Sequence, residues 1–450
     1  MPPWPPTLSP NATWSDVVQL QLRPWSARGF IDVGQFLRDT NNLRGLSHPP
    51  NAALVDTDSW RVRQLGARWV GHHTTRAQAV LNLFRLAQSR ARSAGRPLPP
   101  ITFVIIVSDG HGATASGFNA SSCTCKSEAS CCDPKIDAPL EMAPAAPSFA
   151  TLFCRHTYDI SVPTIIDDLL DTRSADSIER SVQKWLAMGD ARPWATRTPK
   201  AFFVGDDKAY RPAVLRHGRA HPEVLSAHHA VSTDVAHRLP FAEHAKYKAA
   251  VYAHGFHFNS VRWRRLTLLG GAVLAAEGPC KEWWQTLAQR GIHYQPTTET
   301  FSDLVDAAER LLDPQADGRA RGMAAALRVL GLRAFRADGL LDYIETLWRA
   351  YAALQRPFRF PPQGQTSSAP LRSVTKRPLA EGWERSWHCA AWPTNRAGSD
   401  AVRCLEGNRP THYQEEHRTT SKFVYALNQH RGTARALCKG ACTCCKRLSA

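Results

Sequence analysis

The sequence predicts an α/β fold, and three stretches predict it. Residues 101–107, ITFVIIV, are apolar throughout, as a strand covered on both faces of its sheet must be. Residues 201–204 form a second apolar run that passes through Gly205-Asp206-Asp207 into a helical pattern beginning near Arg211. In residues 243–269, apolar-polar alternation gives way to Gly255 and a polar turn, after which Leu266, Leu268 and Leu269 start a helical repeat. Strand, turn and helix therefore recur in that order.

The remaining elements fit around these three. Residues 1–60 are Pro-rich and aperiodic, which predicts a tail or strap. Ala77, Val80, Leu81, Phe84 and Ala87 lie at helical spacing, and a Gly-Arg-Pro-Leu-Pro-Pro break separates them from the strand at 101–107. Residues 110–147 are rich in Gly, Ser, Ala and Pro and hold Cys123, Cys125, Cys131 and Cys132, so they look inserted. A short strand is expected at 271–276. A helix should follow with Ser302 as its cap and Leu304, Ala307, Ala308 and Leu311 on its buried face, and two more helices are expected over 318–334 and 339–354.

A chain of 450 residues exceeds what one core usually serves, which predicts two domains with appendages. Its 43% hydrophobic and 21% charged residues exclude a wholly disordered or fibrous chain. The formal charge of +17 favours anionic partners, but the arginines are scattered among Ala-rich segments, so no dedicated nucleic-acid surface is expected. With no apolar run of about 18 residues, no membrane span is expected either. The opening MPPWPPTLSP lacks the order of a secretory signal, whereas twelve cysteines and the sequons at Asn11 and Asn119 suit a lumenal protein. The expected location is the secretory pathway lumen, in the endoplasmic reticulum or Golgi.

Chemistry is expected where strands end. Asp109 closes the strand at 101–107 in Ser108-Asp109-Gly110, at the edge of an open parallel sheet that forms a ligand crevice; an Asp capping a loop gives the same local sequence. Gly205 permits close approach of a ligand to backbone, and Arg211 stands just beyond that turn. Ser260 is a cap candidate with Arg262 beside it, an arrangement that suits a diphosphate, although an arginine there is also an ordinary surface cation. The C-x-C and C-C spacings of the insertion do not match structural zinc sites, so disulfides are expected and no metal.

Four strings, in order, resemble the CAP10-like glycosyltransferases (family 90), which include protein O-glucosyltransferases and capsule xylosyltransferases. HAKYKAAVYAHGFHFNSVRWRRLTLL is similar to H-x-KYK, a glycine turn and S-x-R before a leucine-rich helix. GIHYQPTTETFSDL resembles the HYxPV segment with its S-D-L, YDISVPT the D-I-x-x-P segment, and AFFVGDDKAYR the FFRG turn with the arginine beyond it. The resemblance spans about residues 60–355.

It implies a GT-B-like architecture, two Rossmann-like domains facing across a cleft. Residues 61–175 would form the acceptor-side domain, with the Cys-rich insertion at 110–147. Residues 176–355 would form the UDP-sugar side, and 356–450 a basic, Cys-containing tail. It also implies inverting transfer of glucose or xylose from UDP-glucose or UDP-xylose to a hydroxyl of a protein or glycan acceptor, with no obligatory cofactor or metal. Asp109 matches the aspartate that would take the acceptor proton. Arg262, Ser260, Asn259 and Phe258 match the segment on the nucleotide, Gly205, Asp206 and Arg211 the FFRG turn and its arginine, and Asp159 and Pro163 the acceptor and sugar side.

The chain departs from the family pattern in two places. Val107-Ser108 precede Asp109 where an N-x-R-D pattern is usual, and Val204 replaces the arginine of FFRG with Asp206 two residues on. Like charges a few ångströms apart repel by about 1 to 4 kcal/mol, so Asp206 must point away, meet the uracil or ribose, or signal altered chemistry. A catalytically silent relative that binds UDP-sugar or a glycoprotein is therefore the alternative expectation, ahead of a basic nucleic-acid binder.

Overall fold

The computed structural model describes residues 8–9, 11–38, 52–65, 72–106, 143–150, 152–154, 159–163, 171–206, 210–230, 240–254, 262–278, 280–359, 387–391 and 402–406. Two units are present, Met1–Pro370 and Leu371–Ala450. In the second, β13 (Trp387–Ala391) and β14 (Val402–Glu406) form an antiparallel pair.

The opening segment, expected to be aperiodic, holds two helices. Helix α1 (Trp14–Arg28) starts in a capping box, where Thr13 accepts from the Asp16 amide at 3.3 Å and Asp16 accepts from the Thr13 amide at 2.6 Å. Trp14, Val17, Val18, Leu22 and Trp25 line its buried face, and Gly29, with φ of 83°, ends it in a left-handed turn. A short helix α2 (Val33–Arg38) follows. The periodicity was present in the sequence; the prolines around it, including Pro24 inside the helix, obscured it.

The first sheet contains β1 (Ala52–Asp56), β2 (Arg61–Leu65), β3 (Thr102–Ile106), β4 (Ser148–Ala150) and β6 (Asp159–Ser161), in the order β2-β1-β3-β4-β6. It is mixed: β3, β4 and β6 run parallel, but β1 is antiparallel to both β2 and β3. Helix α3 (His72–Ser93) packs Phe84 on this sheet, stacked on Phe103 at 4.9 Å and on Phe149 at 5.8 Å.

The second sheet contains β7 (Thr198–Gly205), β8 (Leu225–His229), β9 (Tyr247–Tyr252), β10 (Ala272–Ala276) and β12 (Gln295–Thr297), in the order β12-β10-β9-β7-β8 and all parallel. Helix α4 (Ala175–Asp190) precedes β7. Helix α5 (Arg211–Ala220) links β7 to β8, α6 (Arg262–Leu269) lies between β9 and β10, and α7 (Leu304–Leu312), α8 (Asp317–Phe335) and α9 (Ala337–Leu354) close the unit. Helix α7 begins after Asp303 rather than under a Ser302 cap. Asp303 bends back to accept from the Thr298 amide at 2.8 Å.

Alternate strand residues feed opposite faces. Phe203, Val251, Leu274 and Ala276 pack with Val214 of α5 and Leu304, Ala308 and Leu311 of α7. Ala250, Tyr252, Val273 and Ala275 belong to the other apolar cluster, with Trp263 and Leu266 of α6. Helices thus cover both faces, the doubly wound arrangement that lets the central strands β7, β9 and β10 be apolar on both sides.

That second cluster runs without a break into the first sheet, through Trp283, Tyr343 and the residues of α1 and α9. Ser161, the last residue of β6, fixes the join. Its amide donates to Gln21 at 2.6 Å, its carbonyl accepts from Tyr343 at 2.5 Å, and its hydroxyl accepts from the Trp283 amide at 2.9 Å. Just beyond the carboxyl ends of β4 and β10, β5 (Phe153–Cys154) and β11 (Cys280–Lys281) pair antiparallel, and Cys280 is disulfide-bonded. Among the described residues, no helix is long and apolar enough to cross a membrane.

Candidate functional site

In a parallel sheet a ligand crevice opens at the carboxyl ends of the strands where the chain order reverses. The reversal in the second sheet lies at β7, flanked by β8 on one side and β9 on the other. Side chains that follow β7 and β9 meet there.

Asp206 follows β7, and Arg211 opens α5. Nη1 of Arg211 donates to Oδ1 of Asp206, and its Nε donates to the Ala253 carbonyl beyond β9 at 3.4 Å. The Arg211 side chain is 8% exposed and that of Asp206 21%, so the carboxylate is the more accessible member of the pair. Asp206, the acid whose repulsion of a diphosphate was in question, is therefore turned onto an arginine. The two charges of the pair offset each other.

Arg262 enters from the first residue of α6. The residue is half-buried, its Nη1 is enclosed, and its guanidinium lies 5.7 Å from the centre of the Phe203 ring. Burial, and then the charge of Arg211, push its pKa down to about 9, while Asp206 partly opposes the shift. It stays protonated at neutral pH, in a place that disfavours its charge. Gly205 makes room for this packing: a Cβ there would lie 2.3 Å from Cζ of Phe203 and 3.3 Å from Nη1 of Arg262.

Three further groups line the same edge. Tyr210 hydrogen-bonds Glu299, whose proton affinity is raised by burial against the opposing effect of that bond. The Tyr210 ring meets buried His254, two residues past β9, edge-on at 5.7 Å. Beyond β10, Glu277 accepts from Nε of Arg290 at 2.6 Å and from the Tyr294 hydroxyl, and Lys281 lies close by. Burial pushes the Lys281 pKa down to about 8, with Glu277 opposing and Arg290 adding to the shift.

Of the residues expected from sequence, Gly205, Asp206, Arg211 and Arg262 come together at one sheet edge. Asp109, Phe258, Asn259 and Ser260 lie outside the described residues. Asp159 is buried at the start of β6, the outermost strand of the first sheet, and accepts from the Ser148 hydroxyl on β4, so it lies at the amino rather than the carboxyl end of its strand. Pro163 is buried just past the carboxyl end of β6. His293 and Tyr294 pack inside. Nδ1 of His293 accepts from the Gln289 amide at 3.0 Å, and burial lowers its pKa.

His254, Glu277 and Glu299 were missed. The signal that singled out Asp109, a polar residue within two positions of the end of a buried strand, finds the first two when it is applied to every strand. Glu299 needed the tertiary structure, because it stands in a polar turn beyond β12.

This sheet edge therefore brings together two guanidinium groups, a carboxylate paired with one of them, and a protonatable carboxyl held by a tyrosine. That set can bind a phosphate ester that also carries hydroxyl groups. Among the described residues no group of three or more His, Cys, Asp or Glu could hold a metal ion. Compared with known proteins, the chain matches no family model and no curated sequence.

Proposed function

We propose that this protein is an inverting glycosyltransferase of the CAP10-like type, moving glucose or xylose from a UDP-sugar to a hydroxyl of a protein or glycan acceptor. The observation that carries the reading is the meeting of Arg211 and Arg262 beside Gly205 at the reversal of a doubly wound sheet. The family resemblance assigns both arginines to the diphosphate, and a sheet of this kind binds nucleotides at that edge. A GT-B-like arrangement, with the first sheet on the acceptor side, is part of the proposal; the pairing of β5 with β11 beyond the carboxyl ends of the two sheets supports it.

In the proposed reaction Asp109 accepts the acceptor proton as the hydroxyl oxygen attacks the anomeric carbon from the face opposite the leaving group. The bond from that carbon to the diphosphate oxygen breaks, and UDP departs with the electron pair. Arg262 and Arg211 stabilise the charge that grows on the diphosphate. No metal or cofactor is part of the scheme, and the secretory lumen is its proposed setting.

The test is UDP release from UDP-glucose and UDP-xylose by the purified full chain, with Asp109→Asn alongside. Turnover that Asp109→Asn abolishes is expected; equal rates in the two proteins would refute the assignment. A second reading, a silent relative that binds the UDP-sugar without turning it over, is favoured by the Asp206 carboxylate already occupying Arg211. Calorimetry that detects UDP binding, with no turnover of any donor, would select it.

A further inference from the structure

We propose that Asp206 tunes ligand choice by charge, sharing Arg211 so that a free nucleoside diphosphate, with its extra negative charge, loses more affinity to it than a nucleoside diphosphate ester does. The inference rests on the nucleotide-sugar reading and deepens it.

The argument is one of local charge. Arg211 and Arg262 bring two positive charges to the edge, and Asp206 cancels one of them through its bond to Nη1 of Arg211. Asp206 directly follows Gly205, the last residue of β7, and its carboxylate is bonded to Arg211. An arriving phosphate must therefore share Arg211 with a resident anion or displace that anion into the crevice, where it faces the ligand. In either case each extra negative charge on the ligand is penalised.

A sugar diphosphate ester carries two such charges. The free diphosphate left after transfer has a terminal phosphate that ionises again near about pH 6, so above neutrality it carries a third. In a partly desolvated site a unit difference in charge corresponds to an effect of about fivefold or more in affinity. Asp206 would thus weaken retention of the product relative to the substrate. Glu299, held by Tyr210 at the same edge, adds to the penalty when it is ionised.

The experiment is isothermal titration of the full chain at pH 8 with UDP, UDP-glucose and inorganic pyrophosphate, comparing wild type with Asp206→Asn. The variant is expected to gain at least about fivefold more affinity for UDP than for UDP-glucose. Equal gains, or a loss for UDP, would overturn the inference. Asp206→Glu keeps the charge and should keep the wild-type ratio. Asp206→Ser, whose smaller side chain leaves room for water or chloride beside Arg211, supplies a second charge-free variant, and thermal melts establish folding before binding is measured.

If neither uridine ligand binds, the nucleotide-sugar reading falls. Charge selection is then read from pyrophosphate, with stronger binding in Asp206→Asn supporting it and unchanged binding ending it.

Discussion

Nε of Arg264, on α6, donates to Oε2 of Glu282, after β11, at 2.5 Å, with 2% and 1% of the two side chains exposed. The indole of Trp284 donates to the same oxygen at 3.0 Å. The pair fastens the helix that carries Arg262 to the segment whose Trp283 amide reaches Ser161 of the first sheet.

Replacing only one member strands a buried charge, which typically costs about 3–5 kcal/mol. Glu282→Gln should therefore lower the unfolding free energy in urea by about that much. Arg264→Met combined with Glu282→Leu, which removes both charges, should recover most of the loss. A single substitution costing under about 1 kcal/mol would show that the pair is not a structural fastener.

Gly205→Ala places a methyl group 2.3 Å from Cζ of Phe203 and 3.3 Å from Nη1 of Arg262. Overpacking of this kind costs about 1–3 kcal/mol, and here part of the movement falls on the arginine. UDP affinity should drop by at least about tenfold while the far-UV circular dichroism stays unchanged. Unaltered affinity would separate Gly205 from the crevice.

Lys281 carries a pH signature. Its pKa is held near 8, below that of a free lysine, chiefly by burial. Below that pH the folded state bears the full cost of a buried charge. As pH rises from 8 towards the ordinary lysine value, the unfolded chain binds more protons than the folded one, so stability rises. Wild type should therefore gain on Lys281→Met between pH 7.5 and 10, by on the order of 1–3 kcal/mol in chemical denaturation. A difference between the two proteins that does not change with pH would contradict the shift.

The amino-terminal helix belongs to the core. Trp25 is 1% exposed, its indole donates to the Pro144 carbonyl at 3.0 Å, and Gln21 on the same helix holds Ser161. Trp25→Ala should cost about 3–5 kcal/mol. Deleting residues 1–30 should leave a chain that proteases degrade rapidly. A truncated protein with an unchanged melting temperature would mean that the segment is a dispensable strap.

Local physics fixed what could be read in advance. Two-sided apolar runs marked β3, β7 and β10, and helical spacing marked α3, α7, α8 and α9, because burial and periodicity act within a few residues. The same local logic picked Gly205, Arg211 and Arg262 as residues beside strand ends. Helix α1 was equally legible in its Trp14, Val17, Val18, Leu22 and Trp25 spacing, and the prolines masked it.

Only the tertiary structure decided which strands became neighbours and where charges turned. Nothing local to Ala52 says that it pairs antiparallel with Ile106, nor that β7 lies between β8 and β9, because those contacts join segments far apart in the chain. The placement of Asp206 was undecided for the same reason. Its charge would repel a diphosphate if left alone, and folding set it against Arg211, where Coulomb attraction in a half-buried edge outweighs exposure to water.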